Sequence, residues 1–414
     1  MYPPKRIRRK LDNAALAFPA AAGKKDSRVF RVYCSLNEPV QPRVLQKALE
    51  QVILKYPLFQ CRLKRGYFWY YFEPSSIRPV IKKEKGVPCS AMYSPGRDNL
   101  LYQVTYNLDS IHLEVFHALT DGTGAFCFLA DLVKAYLRLL HGIEGEETAG
   151  AGTQEEQEED SFSRYYSPVR TAVQIRKSSR AYQMKGRKVA QADMKIMEYT
   201  VSVKQLLQQS RACQVSITVY LTAVLLQALS RKMTEVQKKK PVVVMIPVNL
   251  RNYYPSKSMT NFFGWMEIEY RFHKKDSFED ILLHVKKRFS EELLLEQVAF
   301  RMNHYVRIEK NLLLQYIPLG IKNFFIRLGT GLGSGNVSAV FSNMSAVRMP
   351  KPYEPYIRRF GVISSTDKLQ MCACSYRDTF YFSITSKLED VSVQEDILSF
   401  LRAEGFDISA LHET

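Results

Sequence analysis

Hydrophobic and polar positions change period several times along the chain, and each change marks an element. Residues 28–36, RVFRVYCSL, are rich in β-branched and aromatic types and predict a strand. Pro42 then opens a helix whose apolar positions Val44, Leu45, Ala48, Leu49, Val52, Ile53 and Tyr56 recur at helical spacing, and Pro57 ends it. Two short strands flank Gly66, another lies near 79–83, and a pair is predicted at 101–107 and 111–116. The next helix carries the stripe Phe126, Leu129, Leu132, Val133, Tyr136, Leu137 and Leu140, with Thr123 as its expected N-cap.

Residues 143–160, IEGEETAGAGTQEEQEED, are acidic, small and aperiodic, which predicts a linker or solvated surface loop. The theme then repeats. A strand over 196–203 leads to a short helix over 204–211. Ser216 caps an almost wholly apolar helix from Thr218 to about Met233. PVVVMIPVNL at 241–250 reads as a buried strand and 254–263 as loop. WMEIEYRF alternates as a strand, and a helix covers 277–295. Strands are predicted from NVSAVFSN at 336–343 and near 359–364, 369–376 and 379–386, and a helix over about Val393–Glu404 closes the chain. Between them, GTGLGSG at 329–335 lacks the Lys-Ser/Thr of a phosphate loop and precedes a strand, so it is expected to be a flexible loop. LLLQYIPLGIKNFFIRLG at 312–329 mixes bulky apolar with basic residues, a composition that fits a core helix, a channel wall or a membrane-surface segment. The pattern is α+β: two halves, each a mixed sheet with packed helices. Residues 1–145 and 166–414 are the expected subdomains, and 146–165 the acidic linker.

Charge narrows the partners. The 414-residue chain has a net charge of +18, which suits nucleic acid, anionic lipid or an acidic small molecule such as a nucleotide-bearing cofactor. No helix-turn-helix, zinc or aromatic-basic motif accompanies the charge, so nucleic acid is not expected. The seven cysteines are scattered, odd in number and without a Cys-x-x-Cys pair, which predicts buried thiols in a reducing, cytoplasmic setting. The apolar patch near the start is broken by Asp12, Asn13 and Pro19, so no secretion signal is expected. Nor does any stretch reach the roughly 18 uninterrupted apolar residues of a spanning helix.

HALTDG at 117–122 carries the candidate chemistry. Histidine suits proton transfer near neutral pH; Asp121 can bond backbone amides or a basic side chain; Gly122 permits a tight turn. The other six histidines are isolated and show no ligand spacing, so no metal is expected. On spacing alone, a catalytic and a structural His117 both stay open.

An H-x-x-x-D-G motif after a strand, in a two-half α+β chain, resembles the CoA-dependent acyltransferase superfamily with the chloramphenicol acetyltransferase fold. The resemblance extends to LDNAALAFP at 11–19, VLQKALEQVILKYPLFQCRL at 44–63, IPVNLRNYY at 246–254, NFFG at 261–264 and FSNMS at 341–345, in the family's order. It implies a site in a tunnel between two subdomains. There His117 would be the general base, acyl-CoA the co-substrate and an alcohol or amine the acceptor. It implies structural roles for Asp121, Gly122 and Arg251, the last pairing with Asp121. Asn261, Ser342 and Asn343 are the candidates for tunnel or oxyanion contacts, with turn-satisfying loop amides as the alternative. The D-F-G-W-G loop of the plant enzymes is absent. Phe116 stands where carrier-dependent condensation enzymes have a first histidine, which argues against that alternative. A non-catalytic binding protein on the same fold is the other. A chain with two halves can form the tunnel alone, which predicts a monomer; contact with a membrane surface stays open.

Overall fold

These periods assemble into three sheets in a computed structural model, which describes residues 8–23, 26–144, 152–168, 180–311 and 315–413. A small antiparallel sheet joins β1 (Arg9–Lys10), β4 (Tyr70–Pro74) and β3 (Cys61–Arg65) in that order. The five-stranded sheet is built on β2 (Val29–Leu36), β6 (Tyr102–Asn107) and β7 (Ser110–Phe116), with β5 (Lys82–Lys83) on one edge. Its other edge is β12 (Ile357–Ser364), a strand from the far side of the acidic segment. The seven-stranded sheet contains β8 (Lys195–Ser202), β9 (Val242–Asn249), β10 (Phe263–Tyr270), β11 (Ala339–Ala346), β13 (Leu369–Tyr376), β14 (Thr379–Ser386) and β15 (Ser409–Glu413). It runs in the order β10-β9-β11-β13-β14-β8-β15. β11 is parallel to both neighbours and the remaining pairs are antiparallel. The architecture is α+β with mixed sheets.

Helices cover one face of each large sheet, for the reason their stripes suggest. Leu45, Ala48, Leu49 and Val52 of α2 (Pro42–Val52) are buried with Phe128, Leu129, Leu132 and Val133 of α3 (Gly122–His141) in the core of the five-stranded sheet. Each of these leucine, valine and phenylalanine side chains contributes about 1.5–3 kcal/mol on burial. On the second sheet, α7 (Ile217–Arg231) lies among α6 (Val203–Ala212), α8 (Phe278–Glu292) and the closing helix (Ser392–Ala403). Its near-continuous apolar run matches burial on most sides.

Several elements depart from the sequence reading. β12 hydrogen-bonds β2, so the division at 146–165 does not separate the two large sheets. Within the acidic segment, residues 145–151 lie outside the described residues, but Gln154–Glu158 (α4) and Ser161–Tyr165 (α5) are short helices rather than linker. Thr153 and Glu156 cap α4 reciprocally, Asp160 caps α5, and buried Gln157 and Phe162 tie both down. GTGLGSG is not a loop: α10 (Leu319–Ser334) runs through its first six residues. The cost of the glycines, about 1 kcal/mol each, is offset by anchoring of the preceding turns, where Leu319 is buried and Asn323 donates to the Tyr70 hydroxyl at 2.7 Å. Helix α9 (Leu295–Glu309) and β15 were not anticipated.

The two large sheets are tied by phenols. Tyr33 of β2 and Tyr381 of β14 both donate to Glu198 Oε1 of β8, at 2.6 and 2.7 Å. Gly361 of β12 pairs with Tyr33, and a Cβ there would lie 2.3 Å from the Tyr33 ring. Because the phenol is fixed by Glu198, the ring cannot swing aside. Gly361→Ala should therefore destabilise the protein by about 1–3 kcal/mol in chemical unfolding. A loss below about 0.5 kcal/mol would mean that the ring is free to give way.

Candidate active site

His117 is the first residue beyond β7. Its N–H still donates to Arg28 O at 2.8 Å, continuing the ladder with β2, and Leu119 N then turns back to Phe116 O at 2.9 Å. α3 starts at Gly122, one residue before the expected cap. Asp121, not Thr123, is its N-cap, because the carboxylate accepts from Gly124 N at 3.1 Å. Gly122 is already helical, and its small size serves a different need from a tight turn. A Cβ on it would lie 1.8 Å from Met344 Cε of β11. The seven-stranded sheet thus presses directly on the start of α3.

Asp121 and Arg251 bind the two halves together here. Arg251 sits just after β9, in a short turn set by Asn249 Oδ1, which accepts its backbone N–H at 3.1 Å. Its Nη1 donates to Asp121 Oδ2 at 2.7 Å, and Nη2 donates to Ser258 O and Thr260 O, both at 2.8 Å. Phe262 N donates to the same Asp121 oxygen at 2.9 Å. Both side chains are almost fully buried. Removing one partner of such a pair costs about 3–5 kcal/mol, since the other charge is left stranded.

The segment so held, 258–262, presents Asn261 to the histidine. His117 Nδ1 lies 3.1 Å from Asn261 Oδ1. Asn261 is fully buried, and its Nδ2 and backbone N–H donate to Asp12 Oδ2 at 3.2 and 3.1 Å. Asp12 Oδ1 accepts from Ala15 N at 2.8 Å. With Asn261 Nδ2 donating to Asp12 Oδ2, its oxygen faces the imidazole, and in this arrangement Nδ1 carries the proton and Nε2 keeps a lone pair. Phe18 stacks on the imidazole at 4.4 Å, and Phe30 and Phe263 flank it at 4.9 and 5.5 Å. Burial lowers the His117 pKa below the ordinary histidine value, partly offset by a backbone hydrogen bond, Asp121 and Asn261. The ring is therefore neutral at pH 7, yet the residue is only half-buried.

The other candidates are arranged differently. Asn261 serves as His117's hydrogen-bond partner rather than lining an open passage, because its amide is committed to Asp12 and His117. Asn343 commits its amide to other protein groups, donating to Thr218 Oγ1 of α7 at 3.0 Å and accepting from Ser345 N at 3.0 Å. Among the described residues the Ser342 hydroxyl has one weak hydrogen bond, to Met344 Sδ at 3.5 Å. A cavity of about 600 Å³ lies between the sheets towards the other end of β7, lined by Arg31, Tyr33, His112, Glu198 and Arg359 among others, and not by His117. Among the described residues no group of three or more His, Cys, Asp or Glu gathers as a metal site would require. Asp12 is the residue that sequence reasoning missed. It stood there only as a polar break in an apolar patch, and its one signal was the LDNAA segment.

Asp12 gives a direct test of this arrangement. Its burial raises the carboxyl pKa from 3.8 to about 7, against the opposing effect of three hydrogen bonds. The folded state thus holds the proton more tightly than the unfolded chain. That contribution to stability is fully present below about pH 4 and is lost as pH rises through about 7. Asp12→Asn removes the titration. The melting temperature of the variant minus that of the wild type should rise between pH 5 and pH 8 in scanning calorimetry. A pH-independent difference would show that Asp12 ionises as it does in the unfolded chain.

Sequence comparison finds no matching family model and no matching curated protein. Structural comparison finds likenesses over almost the whole chain. Polyketide synthase associated protein 5 from Mycobacterium tuberculosis matches with a TM-score of 0.64 at 15% identity, covering 97% of this chain and 98% of its own. TRI101 of F. sporotrichioides, solved with coenzyme A and T-2, matches with a TM-score of 0.66 at 12% identity over 98% and 100% of the two chains. The first condensation domain of the CDA synthetase matches with a TM-score of 0.60 at 14% identity over 96% and 94%. At these identities the likeness is one of architecture: the chain has the fold shared by CoA-dependent acyltransferases and condensation domains.

Proposed function

We propose that this protein transfers an acyl group from acyl-CoA to an alcohol or amine, with His117 as general base. The observation that carries this reading is the imidazole itself, its pKa lowered by burial, with Nδ1 engaged by Asn261 and no hydrogen-bond partner on Nε2 among the described residues. In the reaction Nε2 takes the proton of the acceptor hydroxyl or amine as its oxygen or nitrogen bonds to the thioester carbonyl carbon. The tetrahedral adduct then collapses, the C–S bond breaks, and the proton on His117 passes to the departing thiolate. No acyl-enzyme is needed. Ser342, two residues from the Met344 that packs on Gly122, is the proposed donor to the oxyanion. Asp121, Gly122 and Arg251 act through architecture.

Coenzyme A as the carrier of the acyl group is supported by the coenzyme A bound in TRI101. Phe116 argues against a carrier-protein condensation role: it is fully buried and stacked on Tyr93 at 5.0 Å, a core residue in place of a first histidine. All the proposed site residues come from one chain, so a monomer suffices.

Purified protein given acyl-CoA of several chain lengths and a panel of alcohols and amines should release free thiol. His117→Ala should lower kcat by about 10²–10⁴-fold. Full turnover by that variant would overturn the mechanism. The acid limb of the wild-type profile should fall below the ordinary histidine value of 6.5, because burial lowers the His117 pKa.

A further inference from the structure

The turn between β3 and β4 and the outer side of α10 form one continuous face. Leu319 N donates to Tyr67 O at 2.8 Å, Lys322 Nζ donates to Phe68 O at 3.0 Å, and the same ammonium lies 3.3 Å over the Trp69 ring. Phe68 and Tyr316 meet edge to face at 6.2 Å. On this face α10 departs from the usual pattern. Its inward side carries Leu319 and Asn323, while Ile321, Phe324, Phe325 and Leu328, at i, i+3, i+4 and i+7, point to solvent. Phe324 and Phe325 are 63% and 60% exposed, and Tyr67 and Tyr316, on either side of Phe68, 73% and 72%. A contiguous apolar patch of this kind marks an interaction surface.

Charge selects its occupant. Residues 62–72 and 315–335 contain Arg62, Lys64, Arg65, Lys322 and Arg327 and no Asp or Glu. Arg62 and Lys64 are paired with Asp98 and Glu73, so Arg65, Lys322 and Arg327 leave the face positive. A second copy would set these cations against themselves, with +18 on each chain. Anionic headgroups above an apolar interior meet both features, and tyrosine and tryptophan favour that boundary. We propose that the hairpin tip at 66–69 and the outer face of α10 dock on an anionic lipid bilayer.

The surface adjoins the histidine. Arg327 Nε donates to Ala20 O at 2.9 Å in the helical turn Phe18–Ala21, whose Phe18 stacks on His117. Docking would therefore hold the site next to a lipophilic acceptor or acyl donor. That consequence rests on the acyl-transfer reading, whereas the docking does not.

Co-sedimentation of the full chain with vesicles tests the proposal. Binding is expected to phosphatidylcholine vesicles containing phosphatidylserine, weaker binding to phosphatidylcholine alone, and weakening as salt rises. Phe324→Ser/Phe325→Ser should lower affinity by about tenfold or more. Arg65→Glu, on the hairpin, should weaken binding to the phosphatidylserine vesicles independently of how α10 folds. His117→Ala should bind like the wild type, which separates docking from catalysis. Absence of vesicle binding, or binding unchanged in both surface variants, would overturn the proposal. So would a dimer in sedimentation velocity that the double phenylalanine variant abolishes.

Discussion

The buried ion pair between Asp121 and Arg251 is the constraint on which the rest of the site depends. A carboxylate removed from water needs its oxygens fully occupied. Asp121 meets that need with one oxygen on Gly124 N and the other shared by Arg251 and Phe262 N. Arg251 in turn takes the carbonyls of Ser258 and Thr260. The loop after β9 is thereby pinned on both sides of Asn261, which leaves that side chain little choice of direction. Asp121 never needs to touch a reacting atom to govern the imidazole. It fixes the start of α3 on one side of His117 and the partner of Nδ1 on the other.

A second attachment acts at a distance from the first. Glu198 accepts both phenols, one from each large sheet, while Met344 presses on Gly122 near the histidine. The sheets are held at both ends of β7, and the polar cavity lies towards the phenol end. These are connections between sheets rather than within them. They set the spacing that any molecule between the sheets would encounter.

What was legible in the sequence follows the range of the forces involved. Local periods placed the helix after Pro42, the long apolar helix after Ser216 and most strands, because an amphipathic stripe is written in neighbouring residues. The Asp121–Arg251 pairing was accessible only through resemblance, since nothing local links residues 121 and 251. The role of Asp12 was not legible beyond its place in the LDNAA segment, because its partner Asn261 lies 249 residues away. The acidic segment misled because composition does not register the caps at Thr153 and Asp160 or the burial of Phe162. The glycines of α10 misled for the converse reason, since propensity yields to tertiary anchoring such as that of Asn323 on Tyr70.

β12 has a consequence for how the molecule comes into being. Until residues 357–364 leave the ribosome, β2 has a partner only on the β7 side, and its other edge is open. Every residue of β2 is buried in the finished protein, so that edge is an adhesive one. The first half of the chain must wait for most of the second before its own sheet is complete. This makes folding a late, long-range event, sensitive to the pace of synthesis and to chaperones that shield a bare strand. The same strand that stitches the halves together ties completion of the first sheet to synthesis of the second half.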